Sequence, residues 1–212
     1  FALDYYTNPG DLICDPFNGR GTTAITSLHL QRKFVGWEIN PVSYQRTREV
    51  LTNNVDSSSS EWSLHEGCGC EMSEFRNDAE VLDAVFTSPP YFNKAEPYSK
   101  DPRDLCNMDM DGFLSKVDVL FENLSRLIKR SNYKERVIKP IIMTLGTSRD
   151  GENGIQDMSF HFQSIARNHG LTLWDQMFVE LNNPHVWTSL QRNYELRMVH
   201  KNYETQVAWV KF

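Results

Sequence analysis

The chain has 212 residues, 40% of them hydrophobic and 24% charged, which suits one large domain with a substantial core. Its net charge of −6 argues against a protein that simply coats nucleic acid, while leaving room for a local basic patch. No apolar run is long enough to cross a membrane and no secretory signal precedes the first motif, so a cytoplasmic protein with no membrane partner is expected. The first residue is Phe1, almost on top of the first motif, and the chain reads as a fragment of something longer.

The elements follow in chain order. Asp11 to Asp15 reads as a short buried strand, residues 22–32 as a helix, and Lys33 to Glu38 as a second strand. Residues 41–54 read as a helix with Pro41 in its first turn. This β-α-β-α alternation implies a parallel sheet with right-handed crossovers. Ser57 to Ser60 is a polar loop, Trp62 to His65 a third strand, and a short helix precedes a fourth strand at Val81 to Phe86. Residues 92–110, with Asn93, Pro97, Pro102 and Asn107, show little periodicity and read as a long loop. Phe113, Val117, Leu120, Phe121, Leu124, Leu127 and Ile128 have helical spacing within 111–130. Val137 to Leu145 is a fifth strand, and Met158 to Asn168 a helix stopped by Gly170. Leu171 to Leu181 and Glu204 to Phe212 are final strands, with Glu195 to His200 extending the second or forming another. No clear helix joins them, so an antiparallel hairpin at the sheet edge is expected. The fold class is α/β: a Rossmann-like, mostly parallel seven-stranded sheet with helices on both faces and an antiparallel C-terminal hairpin.

Two motifs stand at strand ends. Asp15-Pro16-Phe17-Asn18-Gly19-Arg20-Gly21-Thr22-Thr23 ends the first strand and opens a helix. Gly19 and Gly21 can take positive φ and bring backbone close to a ligand, and the free amides of the next helix can meet a carboxylate. Glu38 ends the second strand, where an acid can bind ribose hydroxyls. Thr87-Ser88-Pro89-Pro90-Tyr91 ends the fourth strand. Its two prolines stiffen the backbone and fix carbonyls and the Ser88 hydroxyl as acceptors beside the Tyr91 ring. In open α/β sheets this carboxyl edge is where ligands bind.

Residues 6–41, from Tyr-Thr-Asn-Pro-Gly-Asp through both strands to Glu38-Ile-Asn-Pro, resemble the donor half of the amino-group DNA methyltransferases. The resemblance implies one catalytic domain over 1–212 and S-adenosylmethionine as cofactor. It places Asp15, Pro16, Phe17, Gly19, Gly21, Thr22 and Thr87 along the donor, Glu38 on its ribose, and Thr7 near its methionine end. Arg20 departs from the small residue often found there and must leave the loop toward solvent or DNA. Ser88-Pro89-Pro90-Tyr91 resembles the catalytic amine-binding motif, and serine at its head favours N4 of cytosine over N6 of adenine. Acceptors on the amine hydrogens draw the nitrogen toward tetrahedral geometry and free its lone pair for in-line attack. Tyr91 would stack on a base that has left the duplex.

The match weakens in places. Cys68 stands where relatives often carry an acid that helps bind the donor. The donor motif precedes the acceptor motif, whereas many serine-type relatives run the other way, so the chain reads as a permuted arrangement. No target-recognition domain is evident beyond residues 182–194, with His185 and Trp187, and the 92–110 loop, with Tyr98, Lys100 and Arg103. Sequence choice on DNA then falls to a missing segment or a second subunit, or is relaxed, and a homodimer is compatible with the family. Candidate basic patches are Lys129 with Arg130, Lys134 with Arg136 and Lys139, and Arg192 with Arg197 and Lys201. Of the four cysteines, Cys14 reads as core, and Cys68-x-Cys70 lacks the second pair a zinc site needs, as does Cys106, so no metal is expected. The alternatives are a donor-binding but inactive subunit that scaffolds a partner, and an amino-methyltransferase of RNA or protein.

Overall fold

The structure, a computed structural model, describes residues 2–54, 61–92, 98–146, 148–150, 154–180 and 203–212. Five strands run parallel: β1 (Leu12–Asp15), β2 (Lys33–Glu38), β3 (Trp62–Glu66), β4 (Ala84–Thr87) and β5 (Pro140–Leu145). A short two-stranded ribbon follows, β6 (Ser148–Asp150) with β7 (Gly154–Gln156). The last two strands are β8 (Thr172–Glu180) and β9 (Tyr203–Val210), and β9 lies antiparallel to both β5 and β8. The seven-stranded order is β3-β2-β1-β4-β5-β9-β8, the Rossmann-like sheet with the antiparallel C-terminal pair that the sequence implies.

Strand alternation splits the core between two faces. Cys14, Val35, Val85, Ile141, Met143, Val207 and Trp209 point to one face, which is covered by α4 (Met110–Leu127) and α5 (Met158–Asn168). Residues one step out of phase face the other way. There Phe34 and Leu64 meet α2 (Thr22–His29) and α3 (Pro41–Asn54), while Ile13, Ala84, Ile142 and Ala208 meet α1 (Ala2–Tyr6). The apolar stripe of α4 is buried at all six of Phe113, Val117, Leu120, Phe121, Leu124 and Leu127, as its spacing predicts. Asp109 caps this helix through the Gly112 amide at 2.8 Å, and Asp157 caps α5 through Ser159 at 3.0 Å.

Some boundaries differ from expectation. α2 stops at His29 because Leu30 already caps it and Gln31 turns to φ 62°. β4 begins at Ala84, since the Val81 and Leu82 amides bond to the Leu127 carbonyl at the end of α4 instead of to a strand. β5 begins at Pro140, because Asn132 and Val137 close a turn on each other. The short helix before β4 is a single 3-10 turn at Ser73–Phe75. α1 and the β6–β7 ribbon had no sequence signal. Ser57 to Ser60, Asn93, Pro97, the 182–194 segment, Glu195 to His200, Arg192, Arg197 and Lys201 lie outside the described residues.

The amino edge of the sheet is closed by charge. Asp83 accepts from the Leu12 amide at 3.0 Å and from Lys129 and Lys139 at 2.8 Å each. Lys139 also reaches Asp11 at 3.2 Å. Arg130 pairs with Glu80 at 3.0 Å. These cations from the candidate basic patches are thus engaged in holding strand ends together. Among the described residues, no helix is long and apolar enough to cross a membrane.

Candidate functional site

β1 and β4 are the neighbours where the strand order reverses. Loops leaving their carboxyl ends diverge and leave a crevice, the usual ligand position in an open α/β sheet. A cleft of about 560 Å³ opens at this point.

The first loop is held rigid on three sides. Asp15 is buried, and its Oδ1 accepts from the Phe17 amide at 3.0 Å and from Thr87 Oγ1 at 2.5 Å. Burial pushes its carboxyl pKa up, and the bonds from Thr87, Thr23 and Phe17 pull part of that back. Glu38, also buried, accepts from the Gly19 amide at 2.6 Å and from the Asn40 amide at 2.8 Å. Desolvation raises its pKa against those two bonds. The Asn18 amide donates to the Trp37 carbonyl at 2.8 Å. The loop is therefore tied to β2 and β4 by its own chain, which lowers the ordering cost of any ligand it takes. Gly21 opens α2 without a side-chain cap, so the first amides of that helix lack the usual partner, and Thr22 and Thr23 line the cleft.

The second loop forms the opposite wall. Ser88 is exposed and Pro90 lines the cleft, while Pro89 is buried and takes no part in the lining. Ser88 Oγ donates to the Thr144 carbonyl at 3.4 Å, so its lone pairs face no protein donor in that bond. The Tyr91 hydroxyl donates to Glu204 on β9, and burial with that carboxylate raises the phenol pKa above its ordinary value. The ring lies against Gly146, where an added Cβ would collide with Tyr91 Cε1.

The remaining wall comes from the loop after β3 and from residues 98–105. Cys68 lines the cleft, and hydrogen bonding from Cys70 brings its thiol pKa down to about 7. Asp104 is buried and organises its loop by accepting from Ser99 N at 2.7 Å and Cys106 N at 3.1 Å. Tyr98, Arg103 and Leu105 stand beside it in the lining. Arg103 pairs with Asp101 at 2.8 Å and Glu71 at 3.5 Å.

The structure brings together Asp15, Pro16, Phe17, Gly19, Thr22, Glu38, Thr87, Ser88 and Pro90 in one cleft. It does not bring Thr7 there. Thr7 is buried near the start of β2, where its Oγ1 accepts from Arg32 Nε at 3.0 Å and its carbonyl accepts from Arg32 Nη2. Gly21 also stays out of the lining. An added Cβ would meet Thr47 Cγ2 at 2.6 Å, so its small size serves the packing of α3. Pro89 and Tyr91 support the cleft from outside its lining. Arg20 is exposed and also lines the cleft.

Sequence reasoning missed Asn18, Asp104 and Glu204. Asn18 lines the cleft, yet both polar atoms of its carboxamide are buried without a partner among the described residues. A buried amide left unmet is costly, which marks a site completed by a ligand or a water. No sequence signal distinguishes it from any other turn asparagine.

A family model described as DNA methylase matches residues 1–49, which is 49 of the 212 residues. No curated protein matches the sequence. Among solved structures, the chain is similar to a SAM-dependent methyltransferase from Methanosarcina mazei, with 9% identity, TM-score 0.62, and coverage of 100% of this chain and 97% of that one. It is similar to the geranyl diphosphate C-methyltransferase of Streptomyces coelicolor at 10% identity and TM-score 0.59, covering 99% of this chain and 78% of that one. It is also similar to the magnesium protoporphyrin IX methyltransferase of Synechocystis PCC 6803 with bound SAM, at 11% identity, TM-score 0.58, and coverage of 96% and 71%. At such identities the likeness establishes a shared fold, the fold on which those methyltransferases are built.

Proposed function

We propose that this chain transfers a methyl group from S-adenosylmethionine to the exocyclic amine of a DNA base. The observation that carries the reading is the bond from Thr87 to Asp15, which fastens the end of the acceptor strand to the end of the donor strand across a single cleft. The DNA methylase match over residues 1–49 supports the donor half, and it covers none of the acceptor motif.

The residues present fit this donor. The cleft volume suits a ligand of that size. Asp15, Pro16, Phe17, Gly19, Thr22 and Thr87 would hold it, with Glu38 toward its ribose. Each Glu38 oxygen accepts one amide and keeps a further lone pair for a hydroxyl. The unmet carboxamide of Asn18 offers one donor and one acceptor more. When bound, S-adenosylmethionine supplies an electrophilic methyl carbon.

The chain's own residues would prepare the nucleophile. An exocyclic amine attacks poorly because its lone pair is delocalised into the ring. The Ser88 hydroxyl and the carbonyls of the proline-stiffened loop accept its hydrogens and favour the tetrahedral nitrogen. Their dipoles are fixed before the reaction, so no reorganisation is needed at the barrier. Serine at position 88 favours N4 of cytosine over N6 of adenine. The ion pairs of Lys129, Arg130 and Lys139 support a reading in which DNA docks on another segment or on a second subunit.

The test is transfer of labelled methyl to unmethylated DNA with product nucleosides resolved by mass. N4-methylcytosine or N6-methyladenine confirms the reaction and names the base. Donor binding without transfer to DNA overturns it in favour of a scaffolding subunit, or of RNA or protein as acceptor if either of those is labelled.

A further inference from the structure

The acceptor tyrosine is fixed by contacts that none of the motifs contains. Its hydroxyl donates to Glu204, 113 residues away on β9. Its ring rests on the backbone at Gly146, just past the end of β5. Its carbonyl accepts from the Cys106 thiol at 3.5 Å. The first contact sets where the ring tip lies, the second sets the plane against which it rests, and the third holds the main chain.

We infer that Glu204 is a positioning residue for Tyr91, holding the aromatic face of the acceptor loop in one orientation. This inference rests on the methyltransferase reading above. A ring that stacks on an extruded base gains most when its plane is set in advance, because the ordering cost is then met before the base arrives. A carboxylate is suited to this task. It accepts the phenol proton in a strong charge-assisted bond. It also opposes phenolate formation, as the raised Tyr91 pKa reflects. Without it, the tyrosine keeps its floor at Gly146 but loses the anchor at its tip.

The test uses Glu204→Leu, Glu204→Gln and Tyr91→Phe in the full chain. Glu204→Leu should raise KM for DNA about tenfold, the loss expected for one partly exposed hydrogen bond to a charged group. Binding of S-adenosylhomocysteine should be unchanged, which also certifies folding. Glu204→Gln keeps an acceptor and should recover most of the loss. Tyr91→Phe should match Glu204→Leu, and the double variant should be no worse than either alone. Gly146→Ala, which forces the ring off its floor, should raise the same KM. Ultraviolet titration of tyrosinate should show one phenol ionising at lower pH in Glu204→Leu than in the wild type, and that phenol should vanish with Tyr91→Phe. A wild-type KM in Glu204→Leu, or losses that add in the double variant, overturns the inference. If the wild-type chain methylates no nucleic acid, the functional reading fails instead, and the tyrosinate titration still decides whether Glu204 governs Tyr91.

Discussion

Thr87 Oγ1 donates to Asp15 Oδ1 at 2.5 Å, so the last residue of β4 caps the last residue of β1. The two residues are 72 apart in sequence and stand at the two motif ends. Thr87→Val keeps the shape and removes the donor. It should cost about 2 kcal/mol, the range for a hydrogen bond to a charged group that leaves a buried partner behind. The loss should depend on pH. Asp15 has a raised folded pKa, so its contribution to stability is full below its unfolded value and is lost as pH rises through the folded one. The Thr87 bond pulls that pKa down and therefore matters most when the carboxyl is ionised. Urea unfolding should show a larger loss at pH 7 than near pH 4. Equal losses at both would reject a charge-assisted bond.

Gly21 is constrained by α3. Its φ is 81°, and an added Cβ would sit 2.6 Å from Thr47 Cγ2. Gly21→Ala should destabilise the ligand-free protein by about 1–3 kcal/mol through overpacking and backbone strain. Thr47→Ser removes that methyl and leaves the hydroxyl, which bonds the Gly19 carbonyl at 3.2 Å. Adding it to Gly21→Ala should recover part of the stability, the steric part. A glycine kept only for a ligand would show no loss in the free protein, and thermal melts of the single and double variants separate the two cases.

The same pair shows what the sequence could and could not say. The first part of the sheet was legible because β1, its loop, α2 and β2 lie within the first 38 residues, and their alternation and turn chemistry are local. The bounds Met158–Asn168 were legible too, with Gly170 as the stop, and the structure adds Asp157 as the cap. Contacts across long stretches left no mark. Gly21 reads as a ligand glycine until Thr47 is seen beneath it. Thr7 reads by resemblance as a residue near the methionine end of the donor, and only the fold shows it bonded to buried Arg32 away from the cleft. Glu204 sits in an ordinary alternating strand, and only the fold brings it to Tyr91. The five residues of α1 are too few to show helical periodicity, and its existence depends on packing against Ile13, Ala84, Ile142 and Ala208.

The amino edge makes a separate prediction. Burial pushes the Asp83 pKa up, but the Leu12 amide and the ammonium groups of Lys129 and Lys139 outweigh it and hold the carboxyl below the usual range. Such a group contributes stability above its unfolded pKa and loses it as pH falls through the folded one. Asp83→Asn should cost about 2 kcal/mol at neutral pH. That is less than a fully buried pair, because the Lys129 side chain is 41% exposed. The gap between wild type and variant should close as pH drops below about 4. Urea midpoints across that range test it, and a gap that stays constant would show that the ion pairs contribute nothing.

Cys68 offers a chemical reading of the cleft itself. Hydrogen bonding from Cys70 outweighs burial and brings its thiol pKa down to about 7, with Lys116 adding to the effect. Burial pushes Cys14 far the other way, and its bond to Cys68 does the same for Cys70. Iodoacetamide should therefore label Cys68 in the folded protein while sparing Cys14 and Cys70, since the thiolate is the reacting form. The labelling rate should rise through about pH 7. Cys70→Ala removes the bond and should shift that midpoint upward. S-adenosylhomocysteine should slow the reaction, because Cys68 lines the cleft it would fill. Peptide mass spectrometry over a time course reads all three. A midpoint at the ordinary thiol value would remove Cys70 as the cause, and labelling indifferent to S-adenosylhomocysteine would place the donor elsewhere.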